Sequence, residues 1–330
     1  MKKHGNEPIP VTVLTGFLGA GKTTLLNHVL TGDHGETIAV IVNEFGEVGI
    51  DNELLQGSEE EIVEMNNGCI CCQVRGDLIR ILNQLIESNH YFDRVIIETT
   101  GLANPGPVAQ TFFVDEGIAE AFMLDAVVTV VDAVHADQHL DEQDETMEQV
   151  AFADVVLLNK IDLVKHEELD RLKRRLRSIN PMARFHQTVY SRIDLKELLG
   201  IKAFDIKKKL ELDPKFLEGH GHHHKHDDDV KAFVLRENRP LDLKKIQLLF
   251  SIWIQVYGQR MFRYKGFLDV QGMEERVVFQ GVHMLFGTTV DRKWKLGEKR
   301  QSEIVIIGKD LNSADFQQQF SKCSIQDETA

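Results

Sequence analysis

The stretch GFLGAGKT at residues 16–23 fits the phosphate-loop pattern G-x-x-x-x-G-K-[ST]. A short β-branched run, VTVL at residues 11–14, precedes it, and apolar residues recur at helical spacing over residues 23–30. A glycine loop between a strand and a helix N-terminus is an anion site, because main-chain N–H groups and the helix dipole both favour negative charge there. The stretch therefore predicts an α/β fold with a phosphate loop after its first strand.

The positions of this loop have distinct expected roles. Lys22 is expected to reach the β- and γ-phosphates, and the Thr23 hydroxyl is expected to bind Mg²⁺. The alternative is a chance glycine-rich turn, which the flanking strand and helix argue against. The remaining predicted phosphate-binding positions are Gly16, Gly19, Ala20, Gly21 and Thr24.

The nucleotide base is predicted by residues 153–162, ADVVLLNKID, where a buried strand leads into Asn159-Lys160-x-Asp162. The Asp162 carboxylate can accept hydrogen bonds from the N1–H and the amino group of guanine, while Asn159 addresses the opposite edge of the base. Adenine has no such donor pair, and a carboxylate left unpaired disfavours the wrong base. The motif favours guanine; taken alone, its four residues also fit a solvated turn.

Two further strands end in acidic residues. In RVIIETTG at residues 94–101, Glu98 is placed to hold the Mg²⁺ shell or its water, and the Gly101 N–H is placed to sense the γ-phosphate. The alternative for Glu98 is a strand-end carboxylate exposed to water. Asp132 ends the strand at residues 126–132, on the ligand side of such a sheet, and no role can be assigned to it from the sequence.

Three of the four cysteines lie in NNGCICC at residues 66–72, namely Cys69, Cys71 and Cys72. The start of the chain has no apolar leader and no stretch is long enough to span a membrane, so a cytoplasmic protein is expected, in which clustered thiols are more often metal ligands than disulfides. Three thiolates, or two with a carboxylate, suit tetrahedral Zn²⁺ or a softer ion such as Cu(I). On an extended segment Cys69 and Cys71 would share a face. Buried inert thiols and a redox pair remain alternatives.

An oxygen ligand for this ion is predicted upstream. The segment NEFGEVGID at residues 43–51 follows a strand at residues 38–42, where a phosphate-loop fold places its first switch segment. Glu47 is the candidate ligand, with plain surface charge as the alternative, and Glu44 is the second choice.

A histidine- and aspartate-rich tract, GHGHHHKHDDD at residues 219–229, has no apolar period and is typical of a linker. Neutral imidazoles in such a tract can hold Zn²⁺, Ni²⁺ or Co²⁺ weakly and lose them when they are protonated. The tract is interpreted as a collecting arm or a store, with a merely solvated linker as the alternative. The candidate ligands are His220, His222, His223, His224 and His226.

Five motifs in this order resemble the CobW-type family of phosphate-loop GTPases, which are zinc or cobalt metallochaperones. They are GFLGAGKTTLL at 16–26, NEFGE at 43–47, GCICC at 68–72, ETTG at 98–101 and NKID at 159–162. The later segments at residues 263–266 and 279–283 resemble the C-terminal domain of that family. The resemblance implies slow hydrolysis of GTP, coupled to binding of Zn²⁺ or Co²⁺ and delivery to a client protein. Some members place a further carboxylate where this chain has Val42.

Length and composition predict two domains joined by a linker. Residues 1–200 are predicted as a GTPase domain with a doubly wound, mostly parallel sheet and the Cys-x-Cys-Cys metal site. Residues 201–229 are predicted as the His/Asp-rich linker, and residues 230–330 as a smaller α+β domain. The net charge of −14 argues against nucleic-acid and anionic-membrane partners, and a homodimer is compatible with the sequence.

Three functions are open at this point. The favoured one is a GTPase metallochaperone in which the thiol cluster and the guanine pocket share a movable stretch of main chain. The second is a zinc storage protein with a vestigial phosphate loop, and the third is a regulatory GTPase with a structural zinc.

Overall fold

The computed structural model describes residues 8–43, 62–65, 71–88, 92–203 and 230–325. Within these ranges the chain forms two compact units. The strands of the first unit are β1 (Ile9–Thr15), β2 (Ile38–Asn43), β3 (Ile62–Met65), β4 (Arg94–Glu98), β5 (Phe122–Asp132), β6 (Val155–Asn159) and β7 (Arg184–Gln187). They form one seven-stranded sheet in the order β3-β2-β4-β1-β5-β6-β7. Every neighbouring pair is parallel.

The connections of this sheet are helical. The helices are α1 (Lys22–Leu30), α2 (Cys71–Glu87), α3 (Gly106–Val114), α4 (Glu116–Ala121), α5 (Ala136–Glu142), α6 (Asp144–Phe152) and α7 (His166–Ile179). Parallel strands joined by helices confirm the predicted doubly wound fold. None of the helices in the described ranges is long and apolar enough to cross a membrane.

Central strands of the first unit are mostly apolar and are buried along nearly their whole length, because helices cover both faces of a parallel sheet. All five residues of β4 and of β6 are buried. The two edge strands differ: β3 is four residues long, and β7 has no buried residue. Their short or polar sequences explain why neither was predicted.

A buried ion pair lies near the amino-terminal ends of the central strands. Arg94 Nη1 donates to Asp125 Oδ2 over 2.8 Å, and Arg94 Nε donates to Glu36 over 2.7 Å. Burial alone would lower the pKa of Arg94, but the hydrogen bonds and charges of Glu36 and Asp125 outweigh it and raise that pKa. Asp125 also accepts the N–H groups of Gly200 and Lys202, over 2.9 Å and 2.5 Å. One carboxylate therefore fastens the segment at residues 200–202 to the sheet.

We expect Asp125→Asn to lower the free energy of unfolding by about 1–3 kcal/mol, because the amide keeps the shape but leaves the guanidinium without its buried counter-charge. Urea denaturation at pH 7 measures the effect. Asp33→Asn makes the same charge change at an exposed site and is expected to stay within about 0.5 kcal/mol of the wild type. Equal stabilities for the two variants would contradict the role given to this ion pair.

The second unit is an antiparallel sheet with two helices. Its strands are β8 (Val230–Glu237), β9 (Met261–Leu268), β10 (Glu275–Val282), β11 (Leu285–Lys293) and β12 (Ser302–Lys309), and its helices are α8 (Leu243–Tyr257) and α9 (Ser313–Ser321). The strand order is β11-β10-β9-β12-β8, and aromatic side chains of both helices and the sheet share one core. The predicted α+β class is confirmed. Strand β11 was not predicted, because its sequence, LFGTTVDRK, is mostly polar and lacks the apolar alternation of a half-buried strand.

Helix α8 begins at a side-chain cap, where Asp242 accepts the N–H groups of Lys244 and Lys245. The apolar run at residues 248–254 is core on one face only. The buried residues of α8 are Ile246, Phe250, Trp253 and Ile254, and its exposed large apolar residues are Leu248, Ile252 and Val256.

Candidate nucleotide-binding site

The phosphate loop lies between β1 and α1, as the sequence predicted, and its glycines have left-handed main-chain conformations. Gly16 has φ +135° and Gly21 has φ +112°. A Cβ atom on Gly16 would clash with the Val130 carbonyl, and one on Gly21 would lie 2.5 Å from the Asn159 amide nitrogen. Both positions therefore require glycine. Of the other predicted phosphate-binding positions, Gly19 borders open space, Ala20 is buried and Thr24 is exposed.

The Lys22 ammonium is held inside the loop. Its Nζ donates to the carbonyl oxygens of Gly16 and Phe17 over 2.9 Å and 3.3 Å, and the residue is 8% exposed. Burial lowers the pKa of Lys22, while the charge of Glu98 opposes this shift. A cation held inside the phosphate loop by main-chain groups suits the negative charge of a polyphosphate.

Thr23 and Glu98 come together from different elements. Thr23, the second residue of α1, donates through Oγ1 to Glu98 Oε1 over 3.2 Å. Glu98 ends β4 and is 6% exposed, so the alternative of a fully solvated carboxylate is wrong. A hydroxyl and a carboxylate are the hard oxygen donors that Mg²⁺ prefers. Gly101, three residues further on, packs against the phosphate loop, since a Cβ there would lie 2.6 Å from the main-chain nitrogen of Leu18.

The Asn159 side chain connects the predicted base-binding loop to the phosphate loop. Its Nδ2 donates to the Ala20 carbonyl over 2.9 Å, and its Oδ1 accepts from the Ser191 N–H over 2.8 Å and from Thr188 Oγ1 over 3.2 Å. An amide nitrogen carries two hydrogens, so one remains for a base. Asp162 is exposed in a short 3-10 helix directly after Lys160.

Residues 188–191 form part of this site, although no sequence motif predicted them. Ser191 Oγ donates to the Gly21 carbonyl over 3.1 Å, in addition to the main-chain bond to Asn159. Tyr190 and Ser191 have consecutive positive φ angles of 51° and 54°. Such angles are uncommon away from glycine, and they mark segments that their surroundings hold in place. A pair of non-glycine residues gives no sequence signal for this conformation.

Asp132, which had no role in the sequence analysis, anchors the base-binding loop. It is 5% exposed, and its carboxylate accepts from Lys160 Nζ over 2.8 Å, His135 Nδ1 over 3.0 Å and the Val134 N–H over 2.9 Å. Burial would raise the pKa of Asp132, but the three hydrogen bonds outweigh it and hold that pKa below its ordinary value. Lys160 has φ +61°, so the carboxylate fixes the side chain of a residue in a left-handed conformation.

We expect Asp132→Asn to lower the free energy of unfolding at pH 7 by about 1–3 kcal/mol, because Lys160 loses a buried counter-charge. The folded-state pKa is lower than the ordinary value of 3.8, so the carboxylate stabilises the fold above that value and loses its effect as the pH falls through the folded-state pKa. Guanidinium denaturation should therefore separate the two proteins fully at pH 7 and progressively less below about pH 4. A separation that is unchanged at pH 3 would contradict this origin.

Most predicted metal ligands lie outside the described residues: Cys69, Glu47, His220, His222, His223, His224 and His226. Cys71 and Cys72 are the first two residues of α2. The extended geometry expected at Cys71 is wrong, because the helix that buries Leu78, Ile81, Leu82 and Leu85 begins at this residue. Among the described side chains, no group of three His, Cys, Asp or Glu residues is arranged to hold a metal ion.

Comparison with known proteins gives matches over both units. Residues 10–187 match the CobW/HypB/UreG nucleotide-binding domain, and residues 230–324 match the C-terminal domain of the cobalamin synthesis protein CobW. The chain is 38% identical over 322 residues to the zinc chaperone YjiA of Escherichia coli, covering 96% of this chain and 98% of that protein. It is 32% identical over 391 residues to the zinc-regulated GTPase metalloprotein activator 1 of Dictyostelium discoideum, covering 99% and 82%. The crystal structure of Zn(II)-bound YjiA GTPase from E. coli matches with a TM-score of 0.79 at 34% identity, covering 97% of this chain and 100% of that one.

Proposed function

Because this chain belongs to the CobW/HypB/UreG family of nucleotide-binding proteins and also carries the CobW C-terminal domain, we propose that it is a GTP-hydrolysing metallochaperone. The family that the sequence motifs indicated is thereby confirmed. Relatives named as a zinc chaperone, a zinc-regulated GTPase metalloprotein activator and a Zn(II)-bound GTPase support zinc as the ion that is carried. In this proposal Zn²⁺, or Co²⁺, is bound by the chain and passed to a client metalloprotein.

The hydrogen bond between Asn159 and Ala20 carries the GTPase part of the proposal. It joins two motifs that are 139 residues apart, one suited to phosphates and one suited to guanine. A phosphate loop alone does not select a base. A base-binding loop held against it would let one nucleotide contact the phosphate loop through its phosphates and Asp162 through its base. Guanine is favoured because its N1–H and amino group can both donate to that carboxylate.

The proposed hydrolysis uses three side chains of this site. Lys22 stabilises the charge that develops on the β- and γ-phosphates, and Thr23 and Glu98 hold Mg²⁺ and its water. The main chain at Gly101 responds to the γ-phosphate. A slow intrinsic rate is expected because the attacking water needs a positioning group. Glu47 and a partner protein are the candidates for that group, in addition to Glu98.

The order of the parallel strands supports coupling between nucleotide and metal. Strands β3 and β2 continue the sheet on the β4 side, with Asn43 beside Met65 at their carboxyl ends and Val42 beside Glu98. The carboxyl ends of parallel strands share one edge of the sheet, which is the edge of the phosphate loop. The segments that contain Glu47 and Cys69 follow these two strands. Linkage then requires that GTP and metal alter each other's affinity by the same factor.

The cysteine ligands proposed for the ion are Cys69, Cys71 and Cys72. The first turn of a helix favours anions, so the position of Cys71 and Cys72 at the start of α2 suits deprotonated metal ligands. Val42 is apolar and 4% exposed, so the further carboxylate of some family members has no equivalent at this position. Glu47 is the proposed oxygen ligand, and the histidines of residues 220–226 are proposed as a weak collecting site.

The proposed partner is a client metalloprotein, and a homodimer is compatible with the proposal. Nucleic acid and membranes are not proposed as partners, because the net charge is −14. The cytoplasm is the proposed compartment, since thiolate ligands stay reduced there.

Zinc titration against a competing chelator tests the coupling, with GDP and with a non-hydrolysable GTP analogue. The wild type is expected to bind zinc with different affinity in the two nucleotide states. Cys71→Ser is expected to lose tight zinc binding at the cysteine site, and with it the difference between the nucleotide states. Cys323→Ser is the matched control, because Cys323 is a buried thiol of the second unit whose Sγ faces the Gln319 carbonyl. It should behave as the wild type does.

Two outcomes would replace the proposal with the other functions. Zinc affinity that ignores the nucleotide would favour a zinc store, in which the phosphate loop is vestigial. Zinc that is retained in every nucleotide state, together with a protein partner that responds to GTP alone, would favour a regulatory GTPase with a structural zinc.

A further inference from the structure

Gln149 is a buried amide that contacts the loop after β4. It lies on α6, is 1% exposed, and its Nε2 donates to the Gly101 carbonyl over 3.0 Å and to the Ala103 carbonyl over 3.1 Å. Both acceptors are main-chain oxygens, so the amide must present its nitrogen, and its two hydrogens match the two carbonyls. One side chain therefore connects two main-chain carbonyls of the loop to a helix.

The loop is held from two sides. Gly101 packs against the main-chain nitrogen of Leu18 in the phosphate loop, so closely that no side chain fits between them. Gln149 holds the other side, and Thr129 of β5 donates to the main-chain carbonyl of Gln149 over 2.8 Å. The position of Gly101 relative to the phosphate loop thus depends on a helix that is itself anchored to the sheet.

Buried polar atoms without a hydrogen-bond partner occur on this loop and on the helix that holds it. In the part of the chain that is described, Thr100 Oγ1 on the loop and Gln149 Oε1 and Thr146 Oγ1 on α6 are such atoms. Each such atom carries a desolvation cost, and native structures keep few of them.

We propose that Gln149 is a positioning residue for GTP hydrolysis, which holds the Gly101–Ala103 main chain in register with the γ-phosphate. The C=O and N–H of one trans peptide point in opposite directions. Because Gln149 binds the Gly101 carbonyl, it turns the N–H of Leu102 away from α6. Gln149 acts through the loop, and it touches neither nucleotide nor metal. This inference rests on the proposed GTPase function.

The test compares Gln149→Met, which keeps the length of the side chain but removes its donors, with two control variants. Gln138→Met makes the same exchange on the exposed face of α5. Thr129→Val loosens α6 by removing the bond to the Gln149 main chain. For each variant we would measure the affinity for GDP, the affinity for a non-hydrolysable GTP analogue, kcat and KM.

Gln149→Met is expected to lower kcat and the affinity for the GTP analogue by about tenfold to a hundredfold, because small displacements of a positioning group have effects of this size. Its affinity for GDP should stay within about twofold, since GDP has no γ-phosphate for the loop to contact. Gln138→Met should keep the wild-type ratio of analogue to GDP affinity. Thr129→Val leaves both Gln149 donors in place, so it should lower that ratio by less than Gln149→Met does, even where it lowers Tm. Equal losses of GDP and analogue affinity, or no loss of either, would overturn the proposal.

Hydrogen exchange in the wild type gives a second readout that does not depend on how the variant folds. The amides of Gly101 and Leu102 are expected to gain protection with the GTP analogue and not with GDP. Identical protection in both states would overturn the inference. A wild-type protein that neither binds nor hydrolyses GTP would instead overturn the proposed function, so the two failures are distinguishable.

Discussion

Lys22→Met is expected to lower kcat for GTP hydrolysis by about 10²–10³-fold, the typical effect of removing one preorganised donor from a developing charge. The ammonium sits inside the phosphate loop, bound by the carbonyls of Gly16 and Phe17. Affinity for GDP and for GTP should fall as well, because the same cation is proposed to face the β-phosphate. Phosphate release under single-turnover conditions and calorimetric titration measure the two effects.

A measurement of Tm distinguishes this loss of activity from misfolding of the Lys22→Met variant. Burial lowers the pKa of Lys22, which means that its environment disfavours the charged form. Methionine keeps the apolar stem and removes the charge, so Tm should be unchanged or higher. Lys165→Met removes an exposed lysine after the base-binding motif, and it should retain full activity. Hydrolysis by Lys22→Met within about threefold of the wild type would contradict the role of the phosphate loop.

Asp162→Asn is expected to change the base preference of the protein from guanine to xanthine. Guanine offers two donors to a carboxylate, whereas xanthine carries a carbonyl in place of the amino group and so matches an amide. We expect GTP affinity to fall by about 10²-fold or more and XTP affinity to rise, because an unmatched polar edge is strongly disfavoured. Competition between GDP and XDP for a fluorescent nucleotide measures the exchange.

Asp170→Asn is the matched control for this exchange, since it makes the same charge change on α7 eight residues further on. It should keep the preference for GTP. If Asp162→Asn bound GTP and XTP in the wild-type ratio, Asp162 would not contact the base. The exchanged variant also tests coupling, because XTP analogues should then control zinc affinity where GTP analogues no longer do.

Local constraints explain what the sequence could predict. The phosphate loop needs left-handed glycines at Gly16 and Gly21, and these residues appear in the sequence at a fixed spacing from the lysine. The central strands are recognisable in the sequence as mostly apolar runs, because both faces of a parallel sheet are covered. Such features depend on neighbours within a few residues, and pattern reasoning identified them.

Long-range contacts explain why some residues of the site could not be predicted from the sequence. Gln149 bonds to Gly101 across 48 residues, and Ser191 bonds to Asn159 across 32. Neither residue belongs to a motif, and each gains its role only when the fold brings the partners together. Asp132 was noticed at the end of its strand, but its three donors could be identified only in the folded chain. Short or polar edge strands such as β3 and β7 give too weak a pattern to be predicted.

The anchoring of residues 200–202 by Asp125 sets a length scale for the histidine tract. Asp125 and Asp132 are seven residues apart on β5, so at about 3.3 Å per residue the anchor is some 20 Å from the edge of the sheet at which the phosphate loop lies. His220 lies seventeen positions after Ala203, and at about 3.3 Å for each position this segment can span at most about 55 Å. This length exceeds the distance along the sheet, so the covalent connection alone would allow the proposed imidazole ligands to reach the edge at which the cysteine ligands are proposed.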